Sequence, residues 1–253
     1  GVVSRGYGGS HRGPPVAVQH DSDPRVVGDE ALLVALATGA PVVVGSDRPA
    51  AVQALLALGG LDIVISDDGL QHYALERDFE IVTLDAQRRF GNRHLLPVGP
   101  LREPLPRLAS VDWVLERGGS DPFSACPLRA VAFEPVTGGE RQPLDSAAVP
   151  KAINALAGIA NPESFFNTLR ELGFEVNAHS FADHHAFSAE DLQPFADRPL
   201  VMTQKDAVKC RPFAGRDHWA LVVEVELPDG LVPAICKLVA ARSGETDPAR
   251  VDR

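Results

Sequence analysis

Leu61-Asp62-Ile63-Val64-Ile65-Ser66-Asp67-Asp68-Gly69-Leu70-Gln71-His72 is the stretch on which the reading of this chain turns. A short apolar, β-branched run stops at two acids, a glycine, an amide and an imidazole, the pattern of a buried strand delivering polar groups at its carboxyl end. In open α/β sheets, ligands sit at that end. Adjacent carboxylates repel unless a cation lies beside them, so a divalent ion, Mg²⁺ together with a phosphate, is the natural occupant. The same residues also make an ordinary Asp-Asp-Gly turn, and the rest of the chain decides between the two.

With 253 residues the chain can bury a full core and hold one large or two modest domains. Its 24 Lys and Arg against 34 Asp and Glu give a formal net charge of −10, which argues against a general nucleic-acid binder, whose affinity rests on cations neutralising phosphates. An anionic ligand must then be held by a local cluster. Cys126, Cys210 and Cys236 are far apart and form no C-x-x-C pair, so neither a disulfide framework nor a zinc site is indicated, and a reducing compartment fits. No apolar run reaches the roughly 18 residues of a membrane span, and no signal-peptide pattern opens the sequence. The chain starts at Gly1 inside what reads as an element, and its only methionine is Met202; the expectation is that an N-terminal piece is absent.

Outward from the central stretch, strands alternate with short helices. Val2 to Ser4 reads as a strand end opening into Arg5-Gly6-Tyr7-Gly8-Gly9, a turn whose amides can approach an anion. Gly28-Asp29-Glu30 precedes an apolar helix from Ala31, with its acids where the helix dipole favours them; taken by themselves they read as an ordinary helix start rather than as a functional site. Val42 to Val44 is a strand, Asp47 caps a helix from Arg48, and further strands are expected near 80–85 and 111–116. The alternation argues for a mostly parallel sheet covered on both faces.

The long connection from Ala86 to Pro104, with its continuation to Arg107, carries Arg88, Arg89, Arg93, Arg102 and Arg107 against the single acid Glu103, in a chain that is acidic overall. Loops of this length in a compact domain are often functional, and a cationic one suits a phosphorylated ligand. The Gly-rich and Pro-rich character after Arg117 places a domain boundary at 118/119, giving a first α/β domain, 1–118, and a smaller second one, 119–253. In the second, a strand from Ala152, a helix whose Phe165, Phe166 and Leu169 are core residues, a strand near 175–179, strand-then-turn over 199–206 and a last strand over 219–227 are expected, with a polar tail from Ser243. Asp183-His184-His185 lacks the further ligands of a metal site. Adjacent histidines on a strand face opposite ways, so one is expected inward beside a carboxylate as an acid/base pair. Lys205-Asp206 fits a surface salt bridge or a buried support equally.

Taken in order, Ser4-Arg5-Gly6-Tyr7-Gly8-Gly9, Gly28-Asp29-Glu30, Ser66-Asp67-Asp68-Gly69-Leu70-Gln71-His72, Arg89-Phe90-Gly91-Asn92, Leu96 to Glu103, Gly158-Ile159-Ala160-Asn161-Pro162, Phe181 to His185 and Thr203 to Ala207 resemble the tetraacyldisaccharide 4′-kinase family, the lipid A kinases, from Ser4 to about Phe213. The resemblance implies a P-loop-NTPase-like, mostly parallel sheet. It implies an enzyme that moves the γ-phosphate of ATP to the 4′-hydroxyl of an acylated glucosamine disaccharide 1-phosphate, with ATP and Mg²⁺ as cofactors. The implied setting is the cytoplasmic face of a Gram-negative inner membrane, with no nucleic-acid partner. By the same resemblance Asp29 is the base that accepts the hydroxyl proton and His184 its partner. Asp67, Asp68 and Glu103 serve the metal, and Gln71 and His72 the nucleotide. The active site is expected in a cleft, the first half supplying nucleotide and metal groups and the second His184.

The family's glycine-rich Gly-Lys-Thr phosphate loop, and the apolar helix that precedes it, lie upstream of the Ser-Arg-Gly-Tyr segment and are not in this sequence. The chain as written is therefore read as an N-terminally truncated member expected to bind ATP poorly. Asn161 also stands where the family usually shows glycine, a change carrying no functional reading. Two other readings compete: a non-catalytic relative that binds the lipid disaccharide or a partner, and a metal-dependent hydrolase using Asp67, Asp68, His184 and His185. A binder has no use for the acid/base and metal set, and a hydrolase predicts tight metal binding without nucleotide.

Overall fold

Runs of β-branched and small apolar residues closed by a glycine or an acid become the strands, and capped runs between them the helices. The computed structural model describes residues 1–243. In chain order its elements are β1 (Val2–Ser4), β2 (Val16–Ala17), α1 (Pro24–Val27), α2 (Asp29–Thr38), β3 (Val42–Val44), α3 (Arg48–Leu56), β4 (Ile65–Ser66), β5 (Ile81–Asp85), β6 (Trp113–Arg117), β7 (Leu128–Pro135), β8 (Ala152–Ala157), α4 (Pro162–Glu171), β9 (Glu175–Ser180), α5 (Ala189–Leu192), β10 (Leu200–Thr203), α6 (Gln204–Cys210), β11 (His218–Val225) and α7 (Leu231–Ser243). The described residues fall into two units, 1–69 with 130–224, and 70–129 with 225–243. The boundary expected at 118/119 falls within the second unit, in the connection from β6 to β7.

The first unit holds two sheets. One has the order β2-β3-β1-β4, with β1 parallel to both β3 and β4 and β2 antiparallel to β3. The other has the order β7-β11-β10-β8-β9, in which β9, β8, β10 and β11 run parallel. Alternation along the central strands sends side chains to opposite faces. Ile153, Ala155 and Val201 pack with Phe165, Phe166 and Leu169 of α4. Leu156, Leu200 and Met202 pack with Ala207 and Cys210 of α6 on the other face. Phe165, Phe166 and Leu169 are the core residues their spacing indicates. In the first sheet Val3 and Val43 meet Ala51 and Leu55 of α3. Val42 and Val44 meet Ala31, Leu32 and Ala35 of α2, where Val208 of α6 joins them. Thus α2 and α6 pack on each other, and the carboxyl ends of strands from both sheets become available to one site.

The second unit has its own two-stranded parallel sheet, β5 with β6. Its apolar cluster is Leu115, Cys126 and Leu231, flanked by Phe79, Trp113 and Ile235.

Three expectations need correction. The apolar run before Asp67 is not a buried strand: β4 is two residues long, lies at the sheet edge and leaves Ile65 55% exposed. Among the described residues its strand neighbour is β1. The segment after β10 is a helix rather than a turn, because the Thr203 hydroxyl accepts from the Asp206 amide at 3.1 Å and so caps it. Third, α7 follows the last strand where no element was expected. The polar tail expected from Ser243 lies, beyond that residue, outside the described residues. All three cysteines are free thiols, Cys126 and Cys210 buried and Cys236 exposed.

Candidate functional site

A serine closes β1, and the glycine-rich turn after it lies backbone against backbone on the start of α2. A Cβ on Gly28, whose φ is +93°, would sit 2.7 Å from the Tyr7 carbonyl oxygen, and one on Gly9 would sit 2.7 Å from the Gly28 nitrogen. Only glycine allows this approach, and it fixes Asp29 as the first residue of α2, buried at 5% exposure. One carboxylate oxygen, Oδ1, accepts from the Glu30 amide at 2.9 Å. The other, Oδ2, faces the His184 Nδ1 at 3.3 Å, Lys209 Nζ at 3.9 Å and Lys205 Nζ at 4.0 Å.

A second consequence of the packing is testable. Gly28→Ala combines a left-handed backbone with a clash against main chain, whereas Gly39→Ala, at φ +65° with nothing near its Cβ, meets only the backbone term. The expected loss for Gly39→Ala is about 1–2 kcal/mol, and Gly28→Ala should exceed it clearly in urea unfolding. Equal losses would show that the close approach is not what the glycine serves.

His184 comes from the loop after β9. It is not on a strand: its φ is +57°, and its amide donates to the Gly158 carbonyl at 3.3 Å and to Asp183 Oδ1 at 3.0 Å. The two histidines do diverge, through this turned backbone rather than strand alternation. His184 goes to Asp29, with the Tyr7 ring edge-on at 5.1 Å, while His185 packs between Phe181 and Phe187 and meets Asp191 Oδ2 at 3.2 Å. Asp29, His184, His185, Phe187, Lys209 and Arg25 line a cavity of about 260 Å³.

Asp67 and Asp68 stand exposed after β4. Ser4 Oγ donates to Asp67 Oδ2 at 3.0 Å, tying the end of β1 to the first acid. The Asp67 carbonyl accepts from Arg48 Nη2 at 2.7 Å. Arg48 is buried at 1% exposure, and burial holds its pKa below the ordinary guanidinium value against the opposing charges of Asp67 and Asp68. Asp68 adopts φ +48°. Among the described residues, no three His, Cys, Asp or Glu side chains converge on a common point as a metal site would require. Two hard carboxylates at a strand end nonetheless suit Mg²⁺, which keeps most of its shell for water and phosphate oxygens.

Gln71, His72 and Glu103 belong to the second unit. Its structure joins their two motifs: Arg102 Nη1 donates to Gln71 Oε1 at 3.3 Å, and Tyr73 OH donates to Glu103 Oε2 at 2.5 Å. That hydrogen bond, foremost, raises the Tyr73 pKa. Arg107 Nε lies 3.4 Å from the same Glu103 oxygen, while Glu103 Oε1 is buried without a hydrogen-bond partner. His72 is half-buried. Of the loop arginines, Arg89 pairs with Glu116 at 2.7 Å and Arg107 donates to both Glu80 oxygens at 2.7 and 2.8 Å, whereas Arg88 and Arg93 are exposed.

Sequence reasoning missed Lys205 and Lys209 as neighbours of Asp29, and Arg48 as the buried support of Asp67. Arg48 left one signal: a cation in the first turn of a helix opposes the dipole and calls for another partner.

The model of one protein family, LpxK: Tetraacyldisaccharide-1-P 4′-kinase, matches residues 1–240. A protein of Halorhodospira halophila named tetraacyldisaccharide 4′-kinase is 50% identical over 246 residues, 96% of this chain and 72% of its own. One of Pseudomonas syringae pv. tomato with the same name is 48% identical over 235 residues, 92% of this chain and 71% of its own. The crystal structure of LpxK from Aquifex aeolicus in complex with ATP is similar with a TM-score of 0.74 at 27% identity, over 94% of this chain and 78% of that one.

Proposed function

The chain belongs to the tetraacyldisaccharide-1-phosphate 4′-kinase family, and from that premise we propose that it transfers the γ-phosphate of ATP to the 4′-hydroxyl of a tetraacylated glucosamine disaccharide 1-phosphate, the step that forms lipid IVA. The observation that carries the reading is the buried Asp29 carboxylate, one oxygen capped by a backbone amide and the other facing an imidazole 3.3 Å away at a cavity wall. Phosphoryl transfer asks little covalent chemistry of a protein beyond in-line positioning, charge neutralisation and a base at the acceptor oxygen. The acceptor hydroxyl gives its proton to Asp29 Oδ2 as its oxygen bonds to the γ-phosphorus, and the bond from that phosphorus to the bridging oxygen of ADP breaks. His184 Nδ1, 3.3 Å from that oxygen, helps to hold the carboxylate in place.

Asp67 and Asp68 are the groups that would hold Mg²⁺, which neutralises charge across the ATP phosphates when bound. Ser4 orients Asp67, and buried Arg48 fixes the backbone carbonyl behind it. Gln71, His72 and Glu103 carry the nucleotide and metal contacts in this reading, on the strength of their motifs. Among the described residues no helix is long and apolar enough to cross a membrane. An acylated acceptor places the reaction at a lipid surface, and we assign the chain as peripheral on the cytoplasmic face of a Gram-negative inner membrane.

The test is transfer of labelled γ-phosphate from Mg-ATP to the disaccharide 1-phosphate. It is made with this chain and with a version extended upstream by a strand, a Gly-Lys-Thr phosphate loop and a helix. Label in the lipid in either version supports the kinase. Binding of the lipid by both versions with no label transferred favours the non-catalytic binder instead.

A further inference from the structure

We propose that Lys205 is the positioning residue of the Asp29–His184 pair: its ammonium group fixes His184 as the neutral Nδ1–H tautomer, so that the ring's one N–H is on the side of the carboxylate oxygen that receives the proton. Lys205 Nζ lies 3.2 Å from His184 Nε2. An ammonium group has donors and no acceptor, so this contact is a hydrogen bond only when Nε2 carries no proton. The ring proton must then be on Nδ1, which is buried on the Asp29 side, 3.3 Å from Oδ2 but without a hydrogen bond to it in this arrangement. In the same loop Asp183 Oδ1 lies 3.9 Å from Nε2 and would favour a proton there; without the ammonium group the Nε2–H form is open, and it would set a bare nitrogen lone pair against the Asp29 carboxylate.

The groups around the pair suit this role. From α2, Glu30 Oε1 lies 3.0 Å from Lys205 Nζ and Asp29 Oδ2 4.0 Å; from the loop after β9, Asp183 Oδ1 lies 3.8 Å away. Burial works against the charge on Lys205, but the Glu30 hydrogen bond and the charges of Asp29, Glu30 and Asp183 together hold its pKa above the ordinary lysine value. The donor therefore stays protonated. On the next turn of α6, Lys209 Nζ faces Asp29 Oδ2 at 3.9 Å but is drawn to Asp206 Oδ1 at 2.8 Å and does not reach the imidazole. Tyr7 closes the ring's remaining side. α6 starts directly after β10 and packs on α2, so Lys205 is delivered to the pair by the same contact that holds Asp29.

The tautomer is read directly from the ¹⁵N shifts of the His184 ring in this chain, assigned by the signals lost in His184→Gln. The expected spectrum has a protonated Nδ1 and an unprotonated, hydrogen-bonded Nε2. Lys205→Met, close in length but without a donor, should move the ring to a mixture of tautomers. Lys205→Arg, still a pure donor, should restore the Nδ1–H form.

A kinetic arm rests on the kinase reading. In whichever version transfers phosphate, Lys205→Met should lower kcat by roughly 10- to 100-fold, a part of what a positioned acid or base contributes. The KM values for ATP and lipid should stay within about two-fold, because uniform binding is untouched. A residue that merely holds the fold would instead lower the melting temperature and leave the tautomer unchanged. An Nδ1–H ring that persists in Lys205→Met overturns the proposal. If Asp29→Asn transfers phosphate as fast as the parent, the kinase reading of Asp29 fails while the spectroscopic arm still decides the role of Lys205.

Discussion

Asp29→Asn is expected to lower kcat for phosphate transfer by roughly 100- to 10,000-fold, the range that a positioned general base contributes, while the KM for ATP stays near that of the parent. The substitution is chosen for what it keeps. Asparagine retains the size of the side chain and an oxygen able to accept from the Glu30 amide, the bond that Oδ1 makes at 2.9 Å, so the start of α2 is preserved. What disappears is the oxygen that takes the proton. His184→Ala in the Asp29→Asn background should cost little more, because two groups that act as a unit lose their joint effect once either is gone. A variant within ten-fold of the parent would remove Asp29 from the chemistry and leave its burial beside two lysines as a matter of packing alone.

The Asp29–His184 meeting explains how much of the site was legible in the sequence. Each residue sits in a short motif with a local signature, a glycine before a helix start and a turn after a strand; the histidine motif reads as acid/base chemistry by itself, whereas Gly-Asp-Glu reads as a helix start and gains its role only through the family resemblance. The distance between them was not readable, since 155 positions of chain separate them and only the packing of α2 against α6 closes the gap. The partner of Lys205 was not readable for the same reason: a Lys-Asp pair that fits a surface salt bridge or a buried support equally says nothing about which element it faces. The capped start of α6 had a local signal in Thr203 and Asp206. At seven residues, however, the helix is too short for its apolar positions to show a period. The strand before Asp67 was overestimated because a β-branched run reports strand preference but not whether neighbours cover both sides. By contrast Val42 to Val44, flanked by a helix cap at Asp47, carried type and burial together, and all three valines are 1% exposed.

The second large effect concerns the support beneath the site rather than the pair itself. Asp206 is fully buried, and its Oδ2 accepts from the Gly158 amide at 2.9 Å and from the Thr203 hydroxyl at 2.7 Å, while Oδ1 pairs with Lys209 at 2.8 Å. Gly158 in turn gives its carbonyl to the His184 amide, so one carboxylate ties the start of α6, the end of β8 and the histidine loop together. Asp206→Ala removes all three contacts and leaves a nearly buried ammonium with Asp29 Oδ2, 3.9 Å away, as its remaining counter-charge; breaking a buried pair from one side costs about 3–5 kcal/mol, and the loss is expected toward the lower end of that range. That loss should be read in urea from the fluorescence of Trp219, buried in the same unit, with Trp113→Phe in the background so that the second unit is silent. Most of it comes from the charge left behind, so Asp206→Ala combined with Lys209→Met should recover part of the stability, and Asp206→Asn, which still accepts from Gly158, should lie between. A loss below about 1 kcal/mol in Asp206→Ala, the level of an exposed pair, would mean that Lys209 reaches water when its partner is gone and that the carboxylate does not hold the site together.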